Sequence, residues 1–417
     1  MIDYPNKLNI IFEKLKKLNI KPIIIGGFIR DKLLNIASSD IDIELYGINS
    51  LLEIEEILQE FGKVTSVGKS FGICKLFFED LELDFSLPRT DSKVALGHKG
   101  IEVSTNKNLD FKTACSRRDF TINAIGYNIQ EKRLLDPFHG KEDLQKKILR
   151  AVDLKKFSED PLRVLRALVF ASRFHFTLDK QLFLECQSMI HRHLLEELPK
   201  ERIFNELKKL LLKSKKPSYG FSLLKKIDGF LYFNEFLTIS EKKYEVILSS
   251  LNRYKNFNIT DEKTTITSFL ALLSYYFTEQ TRASFLKRLT HEKTLISNIH
   301  LFINIAHILD IEALNDYKVY SLATKLSIKD FTPFLRALFN DKEKIIIENL
   351  ENRAKKLDVF EKELPALLGG KDLLKKGLKP SKKFSDILER AYNLQIEKKL
   401  KTKEVIFKYL KKENYLN

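Results

Sequence analysis

Pro22-Ile23-Ile24-Ile25-Gly26-Gly27-Phe28-Ile29-Arg30-Asp31, followed by Ser39-Asp40-Ile41-Asp42-Ile43-Glu44-Leu45, is the stretch on which the fold turns. Pro22–Ile25 is a short β-branched run that predicts a buried strand, and Gly26-Gly27 closes it with a tight turn. Phe28–Asn35 has a helical pattern. Asp40–Leu45 alternates acid and apolar residue, which predicts a strand with one apolar and one acidic face. Residues i and i+2 of a strand share a face, so the carboxylates of Asp40 and Asp42 converge. A divalent cation relieves their repulsion, and two carboxylates with phosphate oxygens suit Mg²⁺. Backbone N–H groups at Gly26-Gly27 can approach an anion, the helix start adds a favourable dipole, and Arg30 in its first turn can pair with a phosphate. Each feature alone has a plainer reading: a turn, a surface arginine, a solvated strand edge such as Glu82-x-Asp84. Together they describe a site for a nucleoside triphosphate with metal.

Around this stretch the first third of the chain is mixed α/β. Residues 1–20 carry Leu8, Ile11, Phe12, Leu15 and Leu18 at helical spacing. Cys74–Phe78 and Glu82–Ser86 predict two strands joined by a turn at Glu79-Asp80, and Thr121–Asn128 a further strand. The strand of Asp84 should neighbour that of Asp40, so Asp84 is a third candidate carboxylate for metal, with a structural or solvated Asp an equal alternative. Strand signals fade from about residue 140. Residues 151–417 read as nearly all α, with punctuation at Lys216-Pro217 and Gly369-Gly370.

A chain of 417 residues predicts two to four domains. With 44% apolar and 11% aromatic residues and few Gly and Pro, it is not disordered or fibrous. Lys and Arg number 72 against 56 Asp and Glu, an excess of 16 that points to a polyanionic partner. Residues 371–417 carry 14 basic and 6 acidic side chains, half of that excess. Lys375, Lys376, Lys379, Lys382 and Lys383 are therefore candidates for RNA contact, against the plainer reading of a solvated lysine-rich face. Three widely spaced cysteines without a CxxC pair argue against a disulfide scaffold or Cys-ligated zinc, and fit a reducing cytoplasm. Thr264–Thr278 is too short to span a bilayer and predicts a buried helix. The first residues carry Asp and Glu without an apolar core segment, so no signal peptide is expected. No His-Asp dyad or HxxxH pair is evident.

Gly26–Asp31 with Ser39–Glu44 resembles the signature of the class II tRNA nucleotidyltransferase (CCA-adding enzyme) and bacterial poly(A) polymerase family. Further segments follow in the family's order. Arg117-Arg118-Asp119-Phe120-Thr121-Ile122-Asn123-Ala124 resembles its basic motif, and Leu135–Gly140 with Asp143-Leu144 the next one. Glu159-Asp160-Pro161-Leu162-Arg163-Val164-Leu165-Arg166 resembles its nucleotide-selecting motif, and Gly370–Leu373 with Gly377–Pro380 a C-terminal segment. The resemblance is close over about residues 20–176 and 367–410. It implies an α+β chain: a polymerase-β-like nucleotidyltransferase head with a mixed sheet, followed by all-α neck, body and tail. The expected boundaries are head 1–150, neck 151–216, body 217–350 and basic tail 351–417.

The motif residues also have readings of their own. Arg118 can hold triphosphate oxygens if it faces the site, or it belongs to a surface charge cluster. Asn123 can bond a ribose or cap a turn, and Asp136 before Pro137 reads as a turn residue. Glu159, Asp160, Arg163 and Arg166 open a helix, with Asp160, Arg163 and Arg166 roughly along one face and Glu159 above Arg163. The plain reading is a helix start with internal salt bridges. The sharper reading concerns base edges. Cytosine and adenine both present an amine beside an unprotonated ring nitrogen, whereas uracil and guanine present the reverse. A carboxylate and a guanidinium, Asp160 and Arg163, would accept the first pair and reject the second without a template. Glu159 would orient Arg163. Where the family often has a further arginine, this chain has Val169. Arg89–Gly100 is polar, holds two glycines and resembles the family's flexible loop.

The combined expectation is a template-independent enzyme adding CCA to the tRNA 3′ end from CTP and ATP. Asp40 and Asp42 would be catalytic and would hold two Mg²⁺. Gly27, Arg30, Arg118, Asp160, Arg163 and Arg166 would bind nucleotide, with Gly26, Asn123 and Glu159 as further candidates. No membrane or protein partner is expected. The alternatives are a poly(A) polymerase, a split-function enzyme adding only CC or only A, and a non-catalytic RNA-binding protein.

Overall fold

The computed structural model describes residues 2–67, 73–93, 101–308, 314–339, 341–379 and 381–416. A short 3₁₀ turn leads into α1 (Asn9–Lys17), which buries Ile11, Phe12 and Leu15. The strands are β1 (Lys21–Ile25), β2 (Ile41–Tyr46), β3 (Lys63–Val67), β4 (Ile73–Phe78), β5 (Leu81–Ser86), β6 (Arg89–Lys93), β7 (Ile101–Thr105), β8 (Gly126–Asn128) and β9 (Arg133–Leu135). Seven of them form one sheet in the order β3-β4-β5-β2-β1-β8-β9, and β6 and β7 form a separate antiparallel ribbon. All pairings in the large sheet are antiparallel except β2 with β5, so the sheet is mixed. Residues 94–100 of the polar loop lie outside the described residues.

Three helices accompany this sheet: α2 (Gly27–Leu33), α3 (Leu51–Leu58) and α4 (Phe111–Cys115). The fourth, α5 (Gly140–Lys146), begins where Asp136 accepts the backbone N–H groups of Gly140 and Lys141 at 2.7 and 2.9 Å, the structural turn role its place before Pro137 suggested. Thr121–Asn128 is not one strand. Thr121–Asn123 winds into a 3₁₀ turn, and only Gly126–Asn128 joins the sheet.

The rest of the chain is helical apart from the two-residue parallel pair β10 (Ile148–Leu149) and β11 (Thr177–Leu178). The helices that follow are α6 (Leu154–Phe157), α7 (Leu162–Phe174), α8 (Lys180–His191), α9 (Lys200–Lys213) and α10 (Pro217–Lys226). The later helices are α11 (Glu241–Lys255), α12 (Glu262–Ser274), α13 (Glu279–Leu289), α14 (Lys293–Ile308), α15 (Asp316–Ala323), α16 (Ile328–Leu338), α17 (Asp341–Lys356), α18 (Gly370–Lys375), α19 (Lys382–Glu397) and α20 (Lys403–Lys412). Ten consecutive residues of α12 are buried, which makes it the core helix expected at Thr264–Thr278. No described helix is long and apolar enough to cross a membrane.

Two compact units result: residues 1–241 with 277–291, and residues 242–276 with 292–417. The first contains every strand, with α1 to α10 and α13. In the second, Phe302, Phe331 and Phe334 pack ring to ring, and Leu373, Ile387, Leu394, Ile406 and Leu410 form a separate small core for the tail.

Candidate active site on the head and neck

The acidic row runs along β2. Asp40 is exposed and lies one residue before the strand, which starts at Ile41 rather than at Asp40. Asp42 stands on the strand, in register with Ile25 of β1 and with Asp84 of β5. The strand of Asp84 therefore does neighbour that of Asp42. The Asp42 carboxyl is pushed up to about 6: burial does most of this, Asp40, Asp84 and Glu44 add to it, and Arg118 opposes it. Carboxylates held close with too little positive charge are a fitting donor set for a divalent cation. Asp84 Oδ1 lies 3.2 Å from Lys75 Nζ. Among the described residues no group of three or more His, Cys, Asp or Glu could hold a metal ion alone. A cation on Asp40 and Asp42 would thus complete its shell with phosphate oxygens and water.

Glu44, the third acid of the row, is 1% exposed. It accepts hydrogen bonds from Tyr46 Oη at 2.7 Å and Arg117 Nη2 at 3.1 Å, so the acidic face is covered here by the first arginine of the basic motif. Arg118 turns the other way and donates from Nη1 to the Asn123 carbonyl at 3.0 Å. Gly26 has φ +72°, and a Cβ there would meet Arg118 Nη1 at 2.6 Å. The bare glycine thus serves two needs, a backbone angle L residues rarely adopt and room for the guanidinium against the turn. The same turn leads into α2 at Gly27.

Arg30 does not face outward as a phosphate ligand. Only 5% of it is exposed. Its Nε donates to Asp31 at 2.8 Å and its Nη1 to Asn123 Oδ1 at 2.6 Å, while Nη2 lies 2.7 Å from Asp31. The guanidinium is also 5.2 and 4.9 Å from the ring centroids of Phe170 and Phe174 on α7. Asn123 passes the network on, donating to Asp119 Oδ1 at 3.0 Å. Asp119 accepts from Arg166 Nε at 2.7 Å, and Asp31 accepts from Arg173 at 3.2 Å. Arg30, Asn123 and the partly exposed Arg166 are thus tied into one polar chain that fastens α2 to α7. Burial raises the Asp119 carboxyl, but Arg166, Asn123 and Arg163 outweigh it and hold it below the usual carboxylate range.

The selecting motif opens differently from the expectation. Helix α7 starts at Leu162, so Glu159 and Asp160 precede it. Asp160 Oδ1 accepts the Leu162 N–H at 3.2 Å. Arg163 donates from Nη1 to the Lys156 carbonyl and from Nη2 to the Arg117 carbonyl, both at 2.7 Å. Those carbonyls orient it, and no ion pair with Glu159 forms among the described residues. Val169 is buried and lines an apolar gap with Leu165, Ile203 and Phe221. An arginine at that place would enter the neck core rather than the site.

Two side chains here escaped sequence reasoning: Glu44, and Arg202 on α9, which pairs with Asp160 at 3.2 Å. Glu44 had a signal, as the next acid in the alternation; Arg202 had none. A His-Asp pair also exists, His191 Nε2 to Asp228 Oδ2 at 2.8 Å, on exposed side chains. In the tail, Lys375, Lys376, Lys379 and Lys383 are exposed, and the Lys382 side chain lies outside the described residues. Lys376 Nζ sits 5.6 Å from the Phe407 ring centroid.

A mixed sheet with Asp40 just before β2 and Asp42 on it, a Gly-Gly turn beside them, Arg118 against that turn and helices behind defines a polymerase-β-like nucleotidyltransferase head. Residues 23–150 match the family model described as poly A polymerase head domain. Residues 175–238 match the one described as probable RNA and SrmB-binding site of polymerase A. The chain is 34% identical over 215 residues to the multifunctional CCA protein of Shewanella frigidimarina, 51% of this chain and 49% of that protein. It thus spans about half the length of that curated relative. It is 27% identical over 385 residues to the CCA-adding enzyme of Streptococcus agalactiae, 91% and 90% of the two chains. The Bacillus stearothermophilus CCA-adding enzyme in complex with CTP shares the fold with a TM-score of 0.74, at 20% identity over 99% of this chain and 98% of that one. The Thermotoga maritima CCA-adding enzyme complexed with tRNA does so at 0.67, with 22% identity over 99% and 96%. Over residues 23–150 and 175–238 the chain thus matches the poly(A) polymerase head and RNA-binding models, and over most of its length it is similar to proteins named CCA-adding enzyme.

Proposed function

We propose that the protein is a template-independent nucleotidyltransferase of the cytoplasm that completes the 3′-terminal CCA of tRNA from CTP and ATP. The observation that carries this is the contact of Arg163 with the Arg117 carbonyl. It ties the base-selecting pair to the arginines that flank Asp42 and the Gly26-Gly27 turn. One pocket then serves one triphosphate, with the base toward Asp160 and Arg163 and the phosphates toward Gly27 and Arg118. The near full-length similarity to a relative named CCA-adding enzyme supports the same reading.

The tRNA 3′-oxygen attacks the α-phosphorus, the bond from that phosphorus to its bridging oxygen breaks, and pyrophosphate leaves. Asp40 and Asp42, with Asp84 in register beside them, would hold the divalent cation, in this reading two Mg²⁺. When bound, such ions ease deprotonation of the hydroxyl and offset charge on the leaving oxygens. Arg118 stabilises charge on the triphosphate. Asp160 accepts a hydrogen from the exocyclic amine of C or A, and Arg163 donates to the adjacent ring nitrogen. Both keep N–H donors or lone pairs beyond those used within the protein. Arg30, Asn123 and Arg166 act indirectly by keeping the head fixed on the neck. The tail lysines would contact the tRNA backbone.

The test is incorporation of labelled CTP and ATP into a tRNA lacking its last three nucleotides. The expected product is longer by three residues, two C and one A. A long A tail on unstructured RNA would point to a poly(A) polymerase, and arrest at either the C or the A step to a split-function enzyme.

A further inference from the structure

Helix α9 packs along α7 and presents two opposite charges toward it. Arg202 Nη2 lies 3.2 Å from Asp160 Oδ2 and 3.5 Å from Oδ1. One turn on, Glu206 is buried and acts electrostatically on Arg166, raising its pKa together with the stronger partner Asp119. The acid before α7 thus meets a cation of α9, while an acid of α9 adds to the field on Arg166.

The Asp160–Arg202 contact has an unusual form. A guanidinium paired with a carboxylate frequently engages it with two parallel N–H donors. Here a single nitrogen reaches both oxygens, and Arg202 Nη1 is buried with no hydrogen-bond partner among the described residues. The fold leaves that donor unpaired at a desolvation cost. A carboxylate turned away from fork-to-fork docking keeps lone pairs pointing elsewhere. Among the described residues the Asp160 carboxylate is otherwise anchored only by the Leu162 N–H on Oδ1. One bond to one oxygen does not fix the angle at which a carboxylate meets an amine. Arg202 adds a second anchor from a separate helix.

We propose that Arg202 is a positioning residue for nucleotide selection: it backs the Asp160 carboxylate from α9, so that the lone pairs facing the pocket meet the amine common to cytosine and adenine. This rests on the reading that Asp160 and Arg163 select the base. Arg202 touches no substrate in this arrangement and acts through Asp160.

The experiment measures kcat and KM for CTP, ATP, UTP and GTP on the appropriate tRNA acceptors with the full chain. The variants are Arg202→Ala, Arg202→Lys, Asp160→Ala and the double Arg202→Ala/Asp160→Ala, each checked by its melting curve. Arg202→Ala should lower the preference for CTP over UTP by about tenfold or more, as misplacement of a selecting group does. Arg202→Lys should recover part of it, since the charge returns without the planar fork. In the Asp160→Ala background, loss of Arg202 should change the preference no further. An equal loss for all four nucleotides, or an additive effect in the double variant, overturns the proposal and leaves Arg202 a packing residue. If Asp160→Ala itself keeps full preference for C and A, the proposal falls together with the reading beneath it. Should Arg202→Ala not fold, Arg202→Gln, which keeps a donor but not the charge, is read in the same way.

Discussion

Replacing Asp119 with alanine should destabilise the unit containing the head and neck more than any other single change in the polar chain. Asp119 is 7% exposed and takes Arg166 Nε at 2.7 Å, Arg166 Nη2 at 2.6 Å, Asn123 Nδ2 at 3.0 Å and the Phe120 N–H at 2.8 Å. Removing one partner of a buried ion pair costs about 3–5 kcal/mol, because the other charge is stranded. The Arg166 side chain keeps 31% exposure, so water recovers part of its solvation. That places the expected loss near the lower bound, about 3 kcal/mol. For a unit of this size the melting temperature should fall by about 6–12 °C. The pH dependence gives an independent check. The folded carboxyl is held below its ordinary value, so its stabilisation is fully present above the unfolded pKa of about 4 and is lost as pH falls through the lower folded value. The gap between wild type and Asp119→Ala should therefore be full near neutrality and narrow in acid. Calorimetry at several pH values measures both effects. A shift under about 2 °C at neutral pH, or a gap that widens on acidification, would refute the view that this carboxylate fastens head to neck.

Other expectations follow from the same geometry. Gly26→Ala forces a positive-φ residue and drives a methyl into Arg118, so it should cost about 1–2 kcal/mol in stability and far more in nucleotide affinity, read by calorimetry and by KM for CTP. Asp40→Ala and Asp42→Ala should each abolish incorporation while tRNA binding, followed by filter retention, persists; more than a few per cent of residual activity would remove the metal assignment. Deleting residues 371–417 should weaken tRNA binding much more than nucleotide binding and flatten its salt dependence, whereas an unchanged slope would make the tail purely structural.

The head was legible because its local rules agree. Pro22–Ile25, the glycine pair and the alternating acids each encode one element, and the structure has strand, turn, helix and strand in that order. What could not be read was which polar residues the tertiary fold would bury. Arg30 looks like a first-turn surface arginine until Phe170 and Phe174, distant in sequence, close over it. Glu44 continues the acidic alternation, yet Arg117 and Tyr46 seal it from water. Arg202 sits in an ordinary amphipathic helix, and only the packing of α9 on α7 gives it meaning. The early start assigned to the selecting helix failed for a local reason. Pro161 serves as its N-cap, so Glu159 and Asp160 stay outside and Arg163 is held by carbonyls instead of by Glu159. Periodicity fixes an element's face but not the partner that covers it.

In the proposed reaction protein side chains alone choose C and A. The most direct measurement is to incubate the full chain with a tRNA lacking CCA and all four nucleoside triphosphates at equal concentration, then sequence the 3′ ends. The expected ends read CCA and stop, with U and G absent from the added positions. Ends carrying U or G, or growing as a homopolymer, would contradict the proposed reaction.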